Sequence, residues 1–444
     1  MTTGNHDPAL PLGHAKKNAH FLAADGSRVT REDSCAGYVS QMECYADFGF
    51  FPRKDDRYWE SPFTSYTYDK YAYEEACRES VLDKRTYTLC DSLTATDASY
   101  LVEPVDGLWM LAIDGGVYLP KEMKEGKWTY QGSSAGYNLV LKHKPFLLPW
   151  VRKVVEEARK RHKTLVAFSH YPLVDFNDGV SESVRRMWRD RRFDLHRVPE
   201  AEVSEAFLQA GLRLHFAGHM HVNDTGIWEG KDGKHLYNIQ VPSIATYVPA
   251  YKILTIESDD VFRVETVTLD TVPGFDSLFP LYRAEYQSDS LRGHSPVWNK
   301  EILSARTYGE FCDYQFRDLV RLRFIPRDLP ESWRTCLDFT GARMLKAVSG
   351  EDKANNAEWT DWCMKDLVLD VYRLRYAERL ALKDIPETRL AAYRYLFDRA
   401  RISPLRSAEV EIVNGLGTLF LAFLNGEPCQ NFVIDLEKDA ITGD

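Results

Sequence analysis

Two apolar runs that close on histidine set the frame of the chain: Thr164-Leu165-Val166-Ala167-Phe168-Ser169-His170, and Leu212 to Ala217 followed by Gly218-His219-Met220-His221. Short, nearly continuous apolar segments of this kind predict strands buried on both faces, with the histidines on the loops that leave their carboxyl ends. Gly107 to Asp114 predicts a third buried strand, stopped by Gly115-Gly116. Between the strands the apolar period lengthens. After Pro149, Val151, Val154, Val155 and Ala158 recur at i, i+3, i+4 and i+7 and predict a helix, with Arg159, Lys160 and Arg161 at the end where the helix dipole favours cations. Val203, Ala206, Phe207 and Ala210, stopped by Gly211, predict a second. Strand, helix, strand, helix, strand implies parallel pairing with right-handed crossovers and gathers His170, His219 and His221 at the sheet edge where α/β sites form.

Beyond His221 the pattern turns antiparallel. Thr225 to Glu229 and His235 to Val241 predict one hairpin, and Tyr251 to Glu257 with Val261 to Leu269 another, the start of a second sheet. Pro273, Gly274, Pro280, Gly293 and Pro296 mark a linker over 271–295 between a first domain, 1–270, and a mainly helical C-terminal domain, 296–444. In the latter, Thr307-x-x-Glu310 predicts a capping box, Met364, Leu367, Val368, Val371 and Leu374 an amphipathic helix, Pro386 to Arg401 a further helix, and Phe432 to Leu436 a closing strand. About 8–103 shows no sustained period and is dense in aromatic residues, among them Tyr58, Trp59, Tyr66, Tyr68 and Tyr71, which predicts a loop-rich insertion. Its rings pack a small core of their own or offer faces to a ligand.

Composition narrows the classes of function. With 444 residues, 44% hydrophobic and 27% charged, the chain has the makings of a globular protein with a sizeable core. A net charge of −10 disfavours nucleic acid and anionic membrane as general partners. The longest apolar run, Leu416 to Leu424, is too short to span a bilayer. Eight cysteines form no Cys-x-x-Cys pair; Cys35, Cys44, Cys77 and Cys90 share one region and would permit disulfides in an oxidising compartment, buried free thiols being the plainer reading, so compartment and disulfide state stay open. Oligomeric state is equally open.

The chemistry rests on histidine spacing. Two imidazoles two residues apart at a strand end suit a metal ion, as does His170 on the neighbouring strand end. Gly4-Asn5-His6-Asp7 adds an amide, an imidazole and a carboxylate. The ordered set Gly-Asn-His-Asp, strand-His and Gly-His-x-His resembles the calcineurin-like metallophosphoesterases over about residues 1–270. That resemblance implies an α/β fold, a two-sheet sandwich flanked by helices, and hydrolysis of a phosphomonoester or phosphodiester at two divalent ions (Mn, Fe, Zn or Co). It also implies that Asn5, His170 and His219 hold one ion and His221 the other, that His6 protonates the leaving oxygen, and that Asp7 orients His6.

The family's Asp-x-His and Gly-Asp-x-x-Asp motifs, which come before Gly-Asn-His-Asp, have no counterpart here, and Asp194-Leu195-His196 is out of order. The expectation is therefore a truncated chain whose first strands are missing, leaving bare the edge of the sheet that holds Trp109 to Ile113. The surviving ligands are all neutral, so impaired catalysis, or an inactive binding or regulatory protein on the same scaffold, also follows. The basic run Arg185 to Arg192 is either an anion-receiving patch or a solvated helix face.

Overall fold

The computed structural model describes residues 1–5, 15–22, 27–34, 38–90, 93–124, 127–131, 136–188, 192–291, 293 and 298–443. The strands of its two main sheets are numbered β1 Tyr58–Glu60, β2 Tyr100–Val105, β3 Leu108–Ile113, β4 Thr164–Ser169, β5 Leu214–Ala217, β6 Asp224–Glu229, β7 His235–Gln240, β8 Ala250–Ile256, β9 Val261–Thr268, β10 Phe432–Asp435 and β11 Ala440–Gly443.

The first sheet has the order β6-β7-β5-β4-β3-β2-β1, and the second β8-β9-β10-β11. Pairing is parallel at the centre of the first sheet, β3 to β4, β4 to β5 and β5 to β7, and antiparallel at both edges. The central strands are apolar throughout because both of their faces are covered. On one face lie the helices Leu147–Lys160 and Ala201–Gln209, whose Val151, Val154, Val155, Val203 and Phe207 share a core with Leu111, Ala167 and Leu236. On the other, Val166, Leu214, Tyr237 and Ile239 meet Phe262, Val264, Phe432 and Ile434 of the second sheet. The architecture is mixed α/β, two sheets face to face with helices outside and a helical C-terminal region.

Two expectations are corrected. The hairpin of β6 and β7 extends the first sheet, since β7 runs parallel to β5; only β8 and β9 belong to the second. The edge beside Trp109 to Ile113 is not bare, because β2 and β1, from the segment expected to be loop-rich, continue the sheet there. Strand β2 hid its nature by burying a charge: Glu103 is fully buried and accepts hydrogen bonds from Tyr68 Oη, Trp109 Nε1, Gly107 N and Lys163 Nζ. Tyr58 stacks on Trp109 at 5.9 Å between ring centroids, so the aromatic residues pack into the sheet's own core. The stretch expected to be a linker holds a helix, Phe279–Leu291.

The helical region begins as its sequence signals. Thr307 caps Tyr308–Leu319 through its side chain, which accepts from Glu310 N at 3.1 Å. Met364–Ala377, Glu387–Ile402 and Ala408–Leu424 form its centre. Its hydrophobic core runs without a break into Phe176, Trp188, Phe193, Met220, Val222 and Tyr247. Strand β10 pairs with β9, tying the end of the chain to the second sheet. No helix among the described residues is long and apolar enough to cross a membrane.

Candidate metal centre at the strand ends

Strands β4 and β5 pair in parallel, Ser169 beside Ala217, so the loops leaving them start level. Gly218 N donates to His170 O at 3.0 Å and locks the two loops together. In the second, the chain folds tightly, with Met220 N donating to Gly218 O at 2.7 Å. Met220 and Val222 are driven into the core shared with the helical region. His219 and His221, which flank Met220, take left-handed backbone conformations with φ of 66° and 59°. Such conformations cost non-glycine residues about 1–3 kcal/mol each and persist where surrounding packing dictates them.

His170, His219 and Asn5 converge. His170 Nε2 lies 3.0 Å from Asn5 Oδ1 and 3.0 Å from His219 Nδ1. The imidazole centroids are 4.8 Å apart, and the Tyr171 ring stands 4.9 Å from each, walling the pair on one side. Gly4 is required by contact: a Cβ there would lie 2.9 Å from the His170 ring. The Tyr118 hydroxyl donates to Gly4 O at 2.9 Å and holds the turn against the sheet. His221 is exposed and near enough for its charge to lower the pKa of His219. It does not close with the other two imidazoles into one group of ligand atoms within 4.8 Å.

The donor atoms fit a metal ion on two observations. One ring nitrogen of His170 faces both an amide oxygen and a second ring nitrogen, and a single proton cannot lie along both contacts. Ligands of one ion at about 2.1 Å stand roughly 3.0–3.4 Å apart, the spacing seen here. Moreover, His219 is 8% exposed and its Nε2 has no hydrogen-bond partner. Burial, and then the neighbouring His170, drive the His219 pKa down to about 2, so the imidazole is neutral and one ring nitrogen carries a lone pair available for coordination.

His6, the expected proton donor, and Asp7 lie outside the described residues. Asp194 of the out-of-order Asp-x-His is a structural anion, paired with Arg327 at 3.0 Å. The basic run is likewise structural where it is described. Arg185 pairs with Glu182 at 2.9 Å, Arg192 donates to Arg327 O at 2.6 Å, and Trp188 and Phe193 are core residues. His215, on β5, is fully buried with both ring nitrogens engaged, by Asn238 Oδ1 at 2.8 Å and Ser169 Oγ at 3.0 Å. His143 and His235 make local contacts with Leu89 O and Asp439. Among the described residues the cysteines are free, and Cys44 is exposed while Cys312, Cys336 and Cys429 are buried.

Sequence reasoning missed Tyr118 and Tyr171. The only signal for either was its position, beside the Gly115-Gly116 break and directly after His170. It also missed a second group of potential ligands, Asp178, Asp224 and Glu378, which no spacing rule connects.

No family model matches the sequence, and no curated protein does. Among solved structures the chain is similar to a dimetal phosphatase from Danio rerio, at 14% identity and a TM-score of 0.24, over 39% of this chain and 60% of that one. The chain thus spans less than two thirds of that neighbour's length.

Proposed function

We propose that the chain is a metal-dependent phosphoesterase whose ion is held by Asn5, His170 and His219. One observation carries the reading: an amide oxygen and two imidazole nitrogens, from residues far apart in sequence, meet at contacts of 3.0 Å on the carboxyl ends of adjacent parallel strands. The sequence resemblance to calcineurin-like metallophosphoesterases supplies the reaction and assigns His221 to a second ion, His6 to protonation of the leaving oxygen, and Asp7 to orienting His6. A bound divalent ion would neutralise phosphoryl charge and lower the pKa of a water. The chain's own residues do the rest. Gly4 and Tyr118 set the position of Asn5, Tyr171 excludes solvent from one side of the imidazoles, His219 presents neutral nitrogen, and His170 faces it across the site.

A second reading, a metal-binding protein without catalysis, is favoured by the donor set. Among the described residues no carboxylate closes with His170 and His219 into a three-ligand group, so no described carboxylate ligates a dication there directly. Both readings are tested on chelator-stripped protein reloaded with manganese or zinc and assayed with p-nitrophenyl phosphate and bis-p-nitrophenyl phosphate. The phosphoesterase reading expects tight binding of one ion and slow, chelator-sensitive hydrolysis, both abolished in His219→Ala. Binding without hydrolysis would select the second reading, and failure to bind either metal would end both.

A further inference from the structure

A separate group of side chains lies where the sheet meets the helical region. Asp178 comes from the loop after β4, Asp224 opens β6, and Glu378 follows the Met364–Ala377 helix. Each contributes a carboxylate oxygen to a set lying within 4.8 Å of one another. Asp224 and Glu378 are 2% and 3% exposed, and Asp224 Oδ2 and Glu378 Oε1 have no hydrogen-bond partner. An orphaned carboxylate oxygen in the interior costs several kcal/mol unless something positive meets it. Lys252 is nearby, but its three donors are committed to Asn223 Oδ1, Thr266 Oγ1 and Cys429 O. The main chain is also shaped to the group, since a Cβ on Gly426 would stand 2.6 Å from Asp178 Oδ1.

We propose that Asp178, Asp224 and Glu378 bind a hard divalent cation, calcium by their chemistry, that clasps the helical region to the first sheet. Carboxylate oxygens without nitrogen or thiolate partners suit Ca²⁺. An ion with contacts of about 2.3–2.6 Å reaches donors up to about 5 Å apart. Three carboxylates leave one negative charge against a dication, and the Lys252 ammonium lies close enough to feel the Asp224 and Glu378 charges. The Asp224 and Glu378 carboxyls also approach closely enough to share a proton, which is the arrangement that competes with the ion. The site is distinct from the histidine cluster and does not depend on hydrolysis.

The test is calcium binding by calorimetry, with the thermal midpoint as a second readout, on chelator-stripped full-length chain. One equivalent of Ca²⁺ is expected in the wild type and in His170→Ala. Asp224→Asn and Glu378→Gln, which keep shape and remove charge, are expected to weaken binding at least about tenfold and to lose the calcium-dependent rise in midpoint. Absence of binding up to about 10 mM Ca²⁺, above the range of weak extracellular calcium modules, would overturn the proposal. So would affinity unchanged in both variants. A wild type indifferent to calcium, with Asp224→Asn melting higher than wild type, would assign the group to proton sharing instead.

Discussion

The histidine cluster and the acidic cluster stand on one ribbon, His219 and His221 before the start of β6 and Asp224 at it, yet their donors are opposite in kind. At the first, two imidazoles and an amide meet, and burial keeps the His219 imidazole uncharged. At the second, three carboxylates meet where burial resists their ionisation. On the readings proposed above, a few residues separate donors suited to borderline transition ions from donors suited to hard ions. Selectivity would then come from donor chemistry and dielectric, since both groups share the same sheet edge as scaffold.

A third buried group shows what an acidic cluster looks like when the chain supplies its own cation. Lys144, fully buried, pairs with Asp97 and Asp114 at 2.8 Å each, and Asp114 also accepts from Tyr38 Oη, Ala98 N and Gly116 N. The largest effect expected follows from this contrast. Lys144→Met should lower unfolding free energy in urea by about 3–5 kcal/mol, because it leaves two carboxylates without their cation in the interior. Asp224→Asn, measured without calcium, should be neutral or stabilising, because it removes one of three crowded, buried carboxylates that only the Lys252 charge offsets. Equal costs for the two would dissolve the distinction between compensated and open clusters.

A smaller effect sharpens the same comparison on the histidine side. His215 and His219 are both buried, but His215 spends both nitrogens on protein partners while His219 keeps Nε2 unpartnered. Burial lowers the His215 pKa from 6.5 to about 4. Between these values the unfolded chain binds the proton and the folded one does not, so stability falls as pH falls, by about 3 kcal/mol on reaching pH 4. Urea unfolding across this window should show that contribution added to a comparable one from His219, and His215→Asn should remove the His215 share, about half of the two together. An unaltered slope in the variant would mean that His215 is not held neutral by the fold.

Much of this arrangement was legible in the sequence. Strands β3, β4 and β5 were visible because burial on both faces leaves nearly unbroken apolar runs, and the hairpins because their turns are rich in Gly and Asp. His170 and His219 could be singled out because each sits at a predicted strand end, and Asn5 because Gly4-Asn5-His6-Asp7 completes the order of motifs in the family resemblance. Strand β2 was not visible, since Glu103 and Pro104 interrupt its apolar pattern and the partners that satisfy Glu103 come from elsewhere in the chain. β1, three residues long, carries no period at all. Asp178, Asp224 and Glu378 were invisible for a different reason. Their meeting depends on how the helical region docks, and no local spacing encodes it.

The central claim is that the histidine cluster is a transition-metal site with imidazole ligands. X-ray absorption at the zinc edge, on protein carrying one equivalent of zinc in the presence of calcium, tests it most directly. The account predicts a first shell of nitrogen and oxygen at about 2.0–2.2 Å with the outer scattering of two imidazoles, diminished in His170→Ala. A shell of oxygen alone, or a spectrum unchanged by His170→Ala, would contradict it.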